Sequence, residues 1–571
     1  MLAFGSGAPV DTSSDENEPG LVSKPYLPVI DLGYSKIRAS KYDKDGDFFV
    51  FSNIRYAAPP TGKRRFQLPQ PPLDEEEIND GNTGFMCMQA TNIQWKWLDV
   101  IPNPTKQSED CLFLDVVVPG CVMREFAQKS NSAALSNTSI STEARWYNSS
   151  AARDEELPDG LPVMVWIHGG GFAFGEKGGI YNPKGLMKAA KGRMIYVAFN
   201  YRLGAFGFLP GEQVKKHGAT NAGLHDQRLA LDWVHQHIYE FGGDPSSITV
   251  LGESAGASSI MHHLTSPEPL QFHRAIMQST AFYPQYDKDI LETQYSRFVS
   301  LADCDCEDSF KCLVNQDSSI LSKANKDAVF ASRYGTFEFG PYVDRTYVPL
   351  LPLFRLGYGH YHRGVKILSS YNSDEGFLFA DPSKIKTNQF NKLLPKHFPN
   401  ATEETLKEIK TLYPASKYKT VFRRIASVIS EWIVSCNSVY LEEHFPGTYL
   451  YKFSIEPGIH SQDLFLTFWG SLPALDDSAK AVLQTDDKVD IGDIARSLQS
   501  YLVSFTVSGN PNMFRRTGGA APTIHFPKTT AWKGRPMVEI TKQGFSYLTL
   551  DSDGPNLNHC KFWMEGDWTG R

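Results

Sequence analysis

The chain has 571 residues, 41% of them apolar and 21% charged, which supplies a large core and excludes a disordered protein. A net charge of −7 excludes the basic excess of a general nucleic-acid binder and gives no pull toward anionic membranes. No apolar run approaches the roughly 20 residues of a transmembrane helix, so no membrane span is expected.

Residues 1–27 are polar and rich in Gly, Pro and Ser, and read as a lead-in with no recognisable signal peptide. Residues 28–565 read as one domain. Phe48–Phe51 predicts a strand, followed by the turn-rich Ala57-Ala58-Pro59-Pro60-Thr61-Gly62. Leu112–Pro119 predicts another strand. Residues 120–160 are polar and read as a surface insertion, mobile or glycan-covered, with sequons at Asn137 and Asn148. A third sequon stands at Asn400.

Near-continuous apolar runs follow at 162–167, 194–199, 248–251, 274–278, 365–368 and 449–453. Such runs mark strands covered on both faces. Between them, Leu224, Leu231, Val234, Ile238 and Phe241 recur at helical spacing, and Gly242-Gly243-Asp244-Pro245 ends that segment. Strand–helix–strand alternation predicts an α/β fold with a large, mainly parallel sheet. Eight cysteines are too few for a disulfide-built scaffold, and no paired CxxC motif predicts a metal site.

The chemistry centres on Gly252-Glu253-Ser254-Ala255-Gly256, a G-x-S-x-G between a predicted strand and a predicted helix. The pentapeptide alone is common; its context is what singles it out. A sharp strand-to-helix turn needs small neighbours and lifts the serine oxygen to the positive end of the helix. His168-Gly169-Gly170-Gly171 follows another predicted strand, and its glycines let backbone N–H groups approach an oxyanion. A phosphate loop is excluded because no G-K-[ST] follows. In this architecture the acid and then the histidine come after the serine. The loops after the strands at 365–368 and 449–453 supply Glu375 or Asp374, and His460.

These stretches, with Ser108-Glu109-Asp110-Cys111, Asn221-Ala222-Gly223-Leu224, Ser373-Asp374-Glu375-Gly376 and His460-Ser461-Gln462-Asp463, resemble the type-B carboxylesterase/lipase family, the cholinesterase-like α/β-hydrolases. The resemblance implies Ser254 as nucleophile, His460 as base and Glu375, rather than Asp374, as acid. Gly170, Gly171 and Ala255 would form the oxyanion hole. It also implies disulfides Cys87–Cys111 and Cys304–Cys312, with Cys306 as a competitor for the second; Cys121, Cys436 and Cys560 have no nameable partner. A small-molecule ester is the expected substrate, with no cofactor or metal. Secretion is expected from the sequons and the Cys87–Cys111 bridge, and the missing signal peptide keeps the cytoplasm as the alternative. Trp95, Trp97 and Leu98 lie in the segment between Cys87 and Cys111, which is short for a lipase lid.

Glu253 reads equally as a site acid and as a structural one, and His168 and Asp226 read as structural. Phe172, Phe174, Phe377, Phe465, Phe468 and Trp469 flank the motifs and divide between pocket wall and core. Two rivals use the same sequence: an acyltransferase or lactonase working through the same acyl-enzyme, and a non-catalytic cholinesterase-like binding protein.

Overall fold

The apolar runs become strands of one sheet in the computed structural model, which describes residues 27–90, 106–136, 160–282, 287–384, 389–471, 473–483 and 489–569. In chain order the strands are β1 (Val29–Asp31), β2 (Lys36–Arg38), β3 (Lys41–Asp43), β4 (Phe48–Arg55), β5 (Ile78–Asn79), β6 (Phe113–Pro119) and β7 (Leu161–Ile167). They continue with β8 (Ile195–Phe199), β9 (Gly243–Glu253), β10 (Arg274–Gln278), β11 (Lys366–Asn372), β12 (Tyr449–Phe453), β13 (Pro536–Thr541) and β14 (Gly544–Thr549). Among the described residues, 11 of these form the main sheet, in the order β14-β13-β12-β11-β10-β9-β7-β8-β6-β4-β3. The run from β8 to β13 is parallel, and antiparallel strands finish both ends. The fold is that of an α/β-hydrolase.

Alternation along the central strands divides the core in two. Val163, Val165 and Ile167 of β7 join the larger cluster, with Ile260 and Leu264 of the helix Ala255–Thr265. Met164 and Trp166 point the other way, against Leu498, Leu502 and Phe505 of the helix Ile491–Ser508. A period of two puts successive side chains on opposite faces, so a strand covered on both faces reads as one apolar run. The helix predicted at 224–241 is α-helical over Ala222–His237 and tightens to a 3-10 turn over Ile238–Phe241.

Two readings need correction. The 120–160 segment does not begin as an irregular insertion: Gly120–Ser136 is an α-helix, and its Val122 and Met123 are buried in the larger cluster. The long polar stretch masked the two apolar residues that anchor its first turn. Asn137 and Asn148 lie outside the described residues. The second correction concerns Gly242–Pro245. It ends the helix, but β9 already starts at Gly243 and absorbs the irregularity as a register shift against β7 between Leu161 and Val163.

Three disulfides are present: Cys87–Cys111, Cys304–Cys312 and Cys436–Cys560. The last joins two cysteines to which the sequence assigned no partner, tying the helix Cys436–His444 to the helix Leu557–Glu565. Cys306 remains an exposed free thiol. Among the described residues no helix is long and apolar enough to cross a membrane.

The Cys436–Cys560 bridge closes a segment of 124 residues. Long closed loops restrict the unfolded chain most, so replacing both cysteines by serine is expected to cost about 2–5 kcal/mol. Thermal inactivation half-lives should shorten while ester hydrolysis at 25 °C is retained; equal half-lives would contradict this.

Candidate active site

The C-terminal ends of five neighbouring parallel strands supply the site, as in open α/β sheets generally. β9 ends at Glu253 and the helix starts at Ala255, leaving Ser254 alone at the corner with φ 54° and ψ −119°. That is a strained conformation for an L-residue. The turn is held by Ser254 N–H donating to Gln278 O at 3.0 Å and by Ser258 N–H donating to Ser254 O at 2.8 Å. The flanking glycines are steric requirements. A Cβ on Gly252 would stand 2.6 Å from the carbonyl carbon of Gly256, and one on Gly256 would stand 2.0 Å from Ile167 O.

The glycine loop leaves β7 and lies directly against this corner: a Cβ on Gly169 would stand 3.2 Å from Ser254 Cβ. Gly170 and Gly171 take φ of 105° and 61°. Side chains there would meet Phe174 O at 2.0 Å and the Phe337 ring at 2.4 Å. Ala255 opens the helix, so its N–H has no intrahelical acceptor. Gly170 and Gly171 on the loop after β7, and Ala255 at the first position of the helix, thus converge on Ser254.

His460 follows β12 and Glu375 follows β11. Ser254 Oγ stands 2.8 Å from His460 Nε2, and His460 Nδ1 stands 2.5 Å from Glu375 Oε2. All three residues are buried. Because the carboxylate can only accept, Nδ1 carries a proton, and in the neutral imidazole Nε2 is then the acceptor for the serine hydroxyl. Glu375 Oε1 accepts two further bonds, from Ser279 Oγ at 2.7 Å and Asn372 N–H at 2.6 Å. Asp374, the alternative acid, instead lines a separate cavity of about 180 Å³ with Lys452 and Ser430.

Two more carboxyls face the imidazole. Glu253 Oε1 stands 3.4 Å from His460 Nε2 and accepts from Ser461 Oγ at 2.6 Å. Burial pushes its pKa up to about 8. Asp463 is buried and pushed up to about 6 for the same reason. Burial alone would depress His460. The Glu375 and Glu253 charges outweigh it and hold the imidazole above its ordinary 6.5.

His168 stacks on Tyr201 with ring centres 4.4 Å apart, and Asp226 pairs with Arg202 through two bonds of 2.7 Å. Both are packing roles. Phe172 and Phe468 are core residues, against Phe208 and Trp166 respectively. Phe377 sits under the Arg423 guanidinium. Trp469 is buried, with the Lys480 ammonium 5.8 Å from its ring centre. Phe465 is partly buried against the second cluster. Phe174, half-buried, lies 6.0 Å from Phe337. Phe337 and Phe379, which the motifs did not single out, adjoin the site; Phe379 packs edge-on to His460 at 4.9 Å. Ser279 and Asn372 were also missed, although both lie at ends of parallel strands. Asn400 is half-buried ahead of the helix Glu403–Leu412. Trp95, Trp97 and Leu98 lie outside the described residues.

A model of the carboxylesterase family matches residues 27–563. The chain is 30% identical to the carboxylesterase patB of Aspergillus clavatus, over 94% of this chain and 96% of that protein. It is 27% identical to a secreted lipase of Arthroderma benhamiae, over 96% and 94%. The crystal structure of Aspergillus niger EstA superposes with a TM-score of 0.74 at 26% identity, covering 94% of this chain and 98% of that one. The chain belongs to the carboxylesterase family and is a carboxylic ester hydrolase.

Gly256→Ala tests the corner. Its Cβ cannot coexist with Ile167 O, so the helix must shift and carry Ser254 away from His460. We expect a loss in kcat of at least about 100-fold, given how steeply rate depends on such placement. A folded variant with wild-type kcat would contradict the steric reading.

Proposed function

We propose that this member of the carboxylesterase family is a serine carboxylesterase that works through an acyl-enzyme. The observation that carries this is the unbroken, buried chain from Ser254 Oγ through His460 to Glu375. Ser254 attacks the ester carbonyl as His460 Nε2 takes its proton. Glu375 fixes the tautomer and faces the imidazolium that forms. The N–H groups of Gly170, Gly171 and Ala255 receive the oxyanion, each such donor being worth about 3 kcal/mol in the transition state. His460 then protonates the leaving alcohol. Water, activated by the same imidazole, releases the acid and restores Ser254.

We read residues 28–565 as one catalytic domain. Three disulfides and the likeness to a secreted lipase support an oxidising, extracellular setting.

Hydrolysis of a p-nitrophenyl ester series tests the mechanism. Ser254→Ala should abolish turnover while leaving the protein folded. Residual activity at the wild-type level would refute the nucleophile assignment.

The pH profile tests the base. Only neutral imidazole accepts the serine proton, and the facing carboxylates stabilise the charged form. Activity should therefore rise with pH, with a midpoint above the ordinary histidine value of 6.5. Glu375→Gln should move that midpoint down and lower kcat by roughly 10²–10⁴-fold. A profile flat between about pH 5 and 8 would contradict the role of His460.

A further inference from the structure

The turn after β11 sends two neighbouring acids to different places. Glu375 meets His460, whereas Asp374 lines the separate cavity of about 180 Å³. That volume holds several waters or one small organic molecule, and is below the roughly 300–1,000 Å³ of a pocket for a drug-sized ligand. Three parts of the fold meet around it. The turn bearing Asp374 is one, and Lys452 of β12 is another. The third is a π-helical turn, Ser430–Ser435, inserted between the helices Val421–Ile429 and Cys436–His444. Such wide turns are uncommon and recur at functional sites. Ser430 and Ser435 of this turn line the cavity, with Ser427 ahead of it, and Ser435 Oγ donates to Ser430 O at 3.1 Å.

The Asp374 carboxyl stands without support. It is half-buried, and burial raises its pKa above the ordinary carboxylate value although the Arg423 and Lys452 charges oppose this. Among the described residues no N–H or O–H donates to it and no ion pair reaches it. Lys452 shares the cavity, yet its Nζ donates to Asp553 O at 3.2 Å instead. The other acid of the cavity, Glu431, is engaged, accepting from Tyr413 OH, His559 Nδ1 and Asn556 N–H. The cavity therefore offers a strong acceptor at Asp374, a strong donor at Lys452 and a row of serine hydroxyls. Phe377 adds apolar surface.

These charges select what can bind. Two carboxyls repel an anion, and Lys452 and Arg423 repel a cation. A neutral hydroxyl both donates and accepts at one atom, so a chain of hydroxyls can meet Asp374 and Lys452 together. We propose that this cavity binds a small neutral polyol, between glycerol and a pentitol in size, through Asp374, Lys452 and the serines of the π-helical turn. The site is separate from the one that cleaves esters and does not depend on how Ser254 acts.

Saturation-transfer NMR on the whole chain, with glycerol, erythritol and xylitol as probes, tests the site. At least one should bind saturably, with a Kd of about 1–30 mM. Asp374→Ala should weaken that binding at least about tenfold, as expected for loss of a hydrogen bond to a charged acceptor. Lys452→Met should weaken it at least about threefold. L-Serine, a zwitterion of similar size, should bind at least about tenfold more weakly than the best polyol, because both of its charges must be desolvated. No saturable binding of any polyol up to about 200 mM would overturn the proposal. A Kd that neither substitution moves would also overturn it, by putting the polyol elsewhere on the protein. So would L-serine binding as tightly as the polyol. Should Asp374→Ala not fold, judged by circular dichroism, Lys452→Met decides alone.

Discussion

The backbone of Ser254 is the constraint on which the site depends. An L-residue at φ 54°, ψ −119° is unfavourable by about 1–3 kcal/mol and persists only when its surroundings leave no alternative. Here the surroundings are specific. Gly252 and Gly256 let strand, corner and helix pass within contact distance, and Ile167 of β7 closes the space beside the helix. The same closeness brings the glycine loop after β7 against Ser254. One steric arrangement thus sets both the Ser254 corner and the glycine loop packed against it.

Charge is arranged with equal economy around a single imidazole. Three buried carboxyls face His460, and they differ in how many donors reach them. Glu375 receives Asn372 N–H, Ser279 O–H and His460 Nδ1–H. Among the described residues Glu253 receives Ser461 O–H, and burial raises it to about 8. Donor number therefore favours Glu375 as the acid that pairs with the forming imidazolium. The parallel sheet makes this possible, because β9, β10, β11 and β12 end side by side and deliver Ser254, Ser279, Glu375 and His460 to one edge.

Legibility in the sequence followed burial and locality. β7, β8 and β12 are covered on both faces, so each appears as an apolar run and is placed within a residue or so. The terminal hairpin of β13 and β14 carries Glu539, Lys542, Gln543 and Ser546 and gives no such run. The start of β9 hides behind Asp244-Pro245, whose local turn signal competes with a long-range pairing to β7. The nucleophile corner and the glycine loop are local motifs and were readable as such. The choice of Glu375 over Asp374 was not local; it came from resemblance, and it becomes physical only once β11 and β12 pair. Ser279 and Asn372 make contacts between strands distant in sequence, and no spacing within one segment encodes them.

Trapping the covalent intermediate tests the central claim most directly. The enzyme would be quenched in acid during turnover of a slowly deacylating ester, then digested and mapped by mass spectrometry. The account predicts one acyl group, carried by Ser254, and none on that peptide in the His460→Ala protein under the same exposure. Steady-state hydrolysis with no acylated peptide, or with the acyl group on another residue, would contradict it.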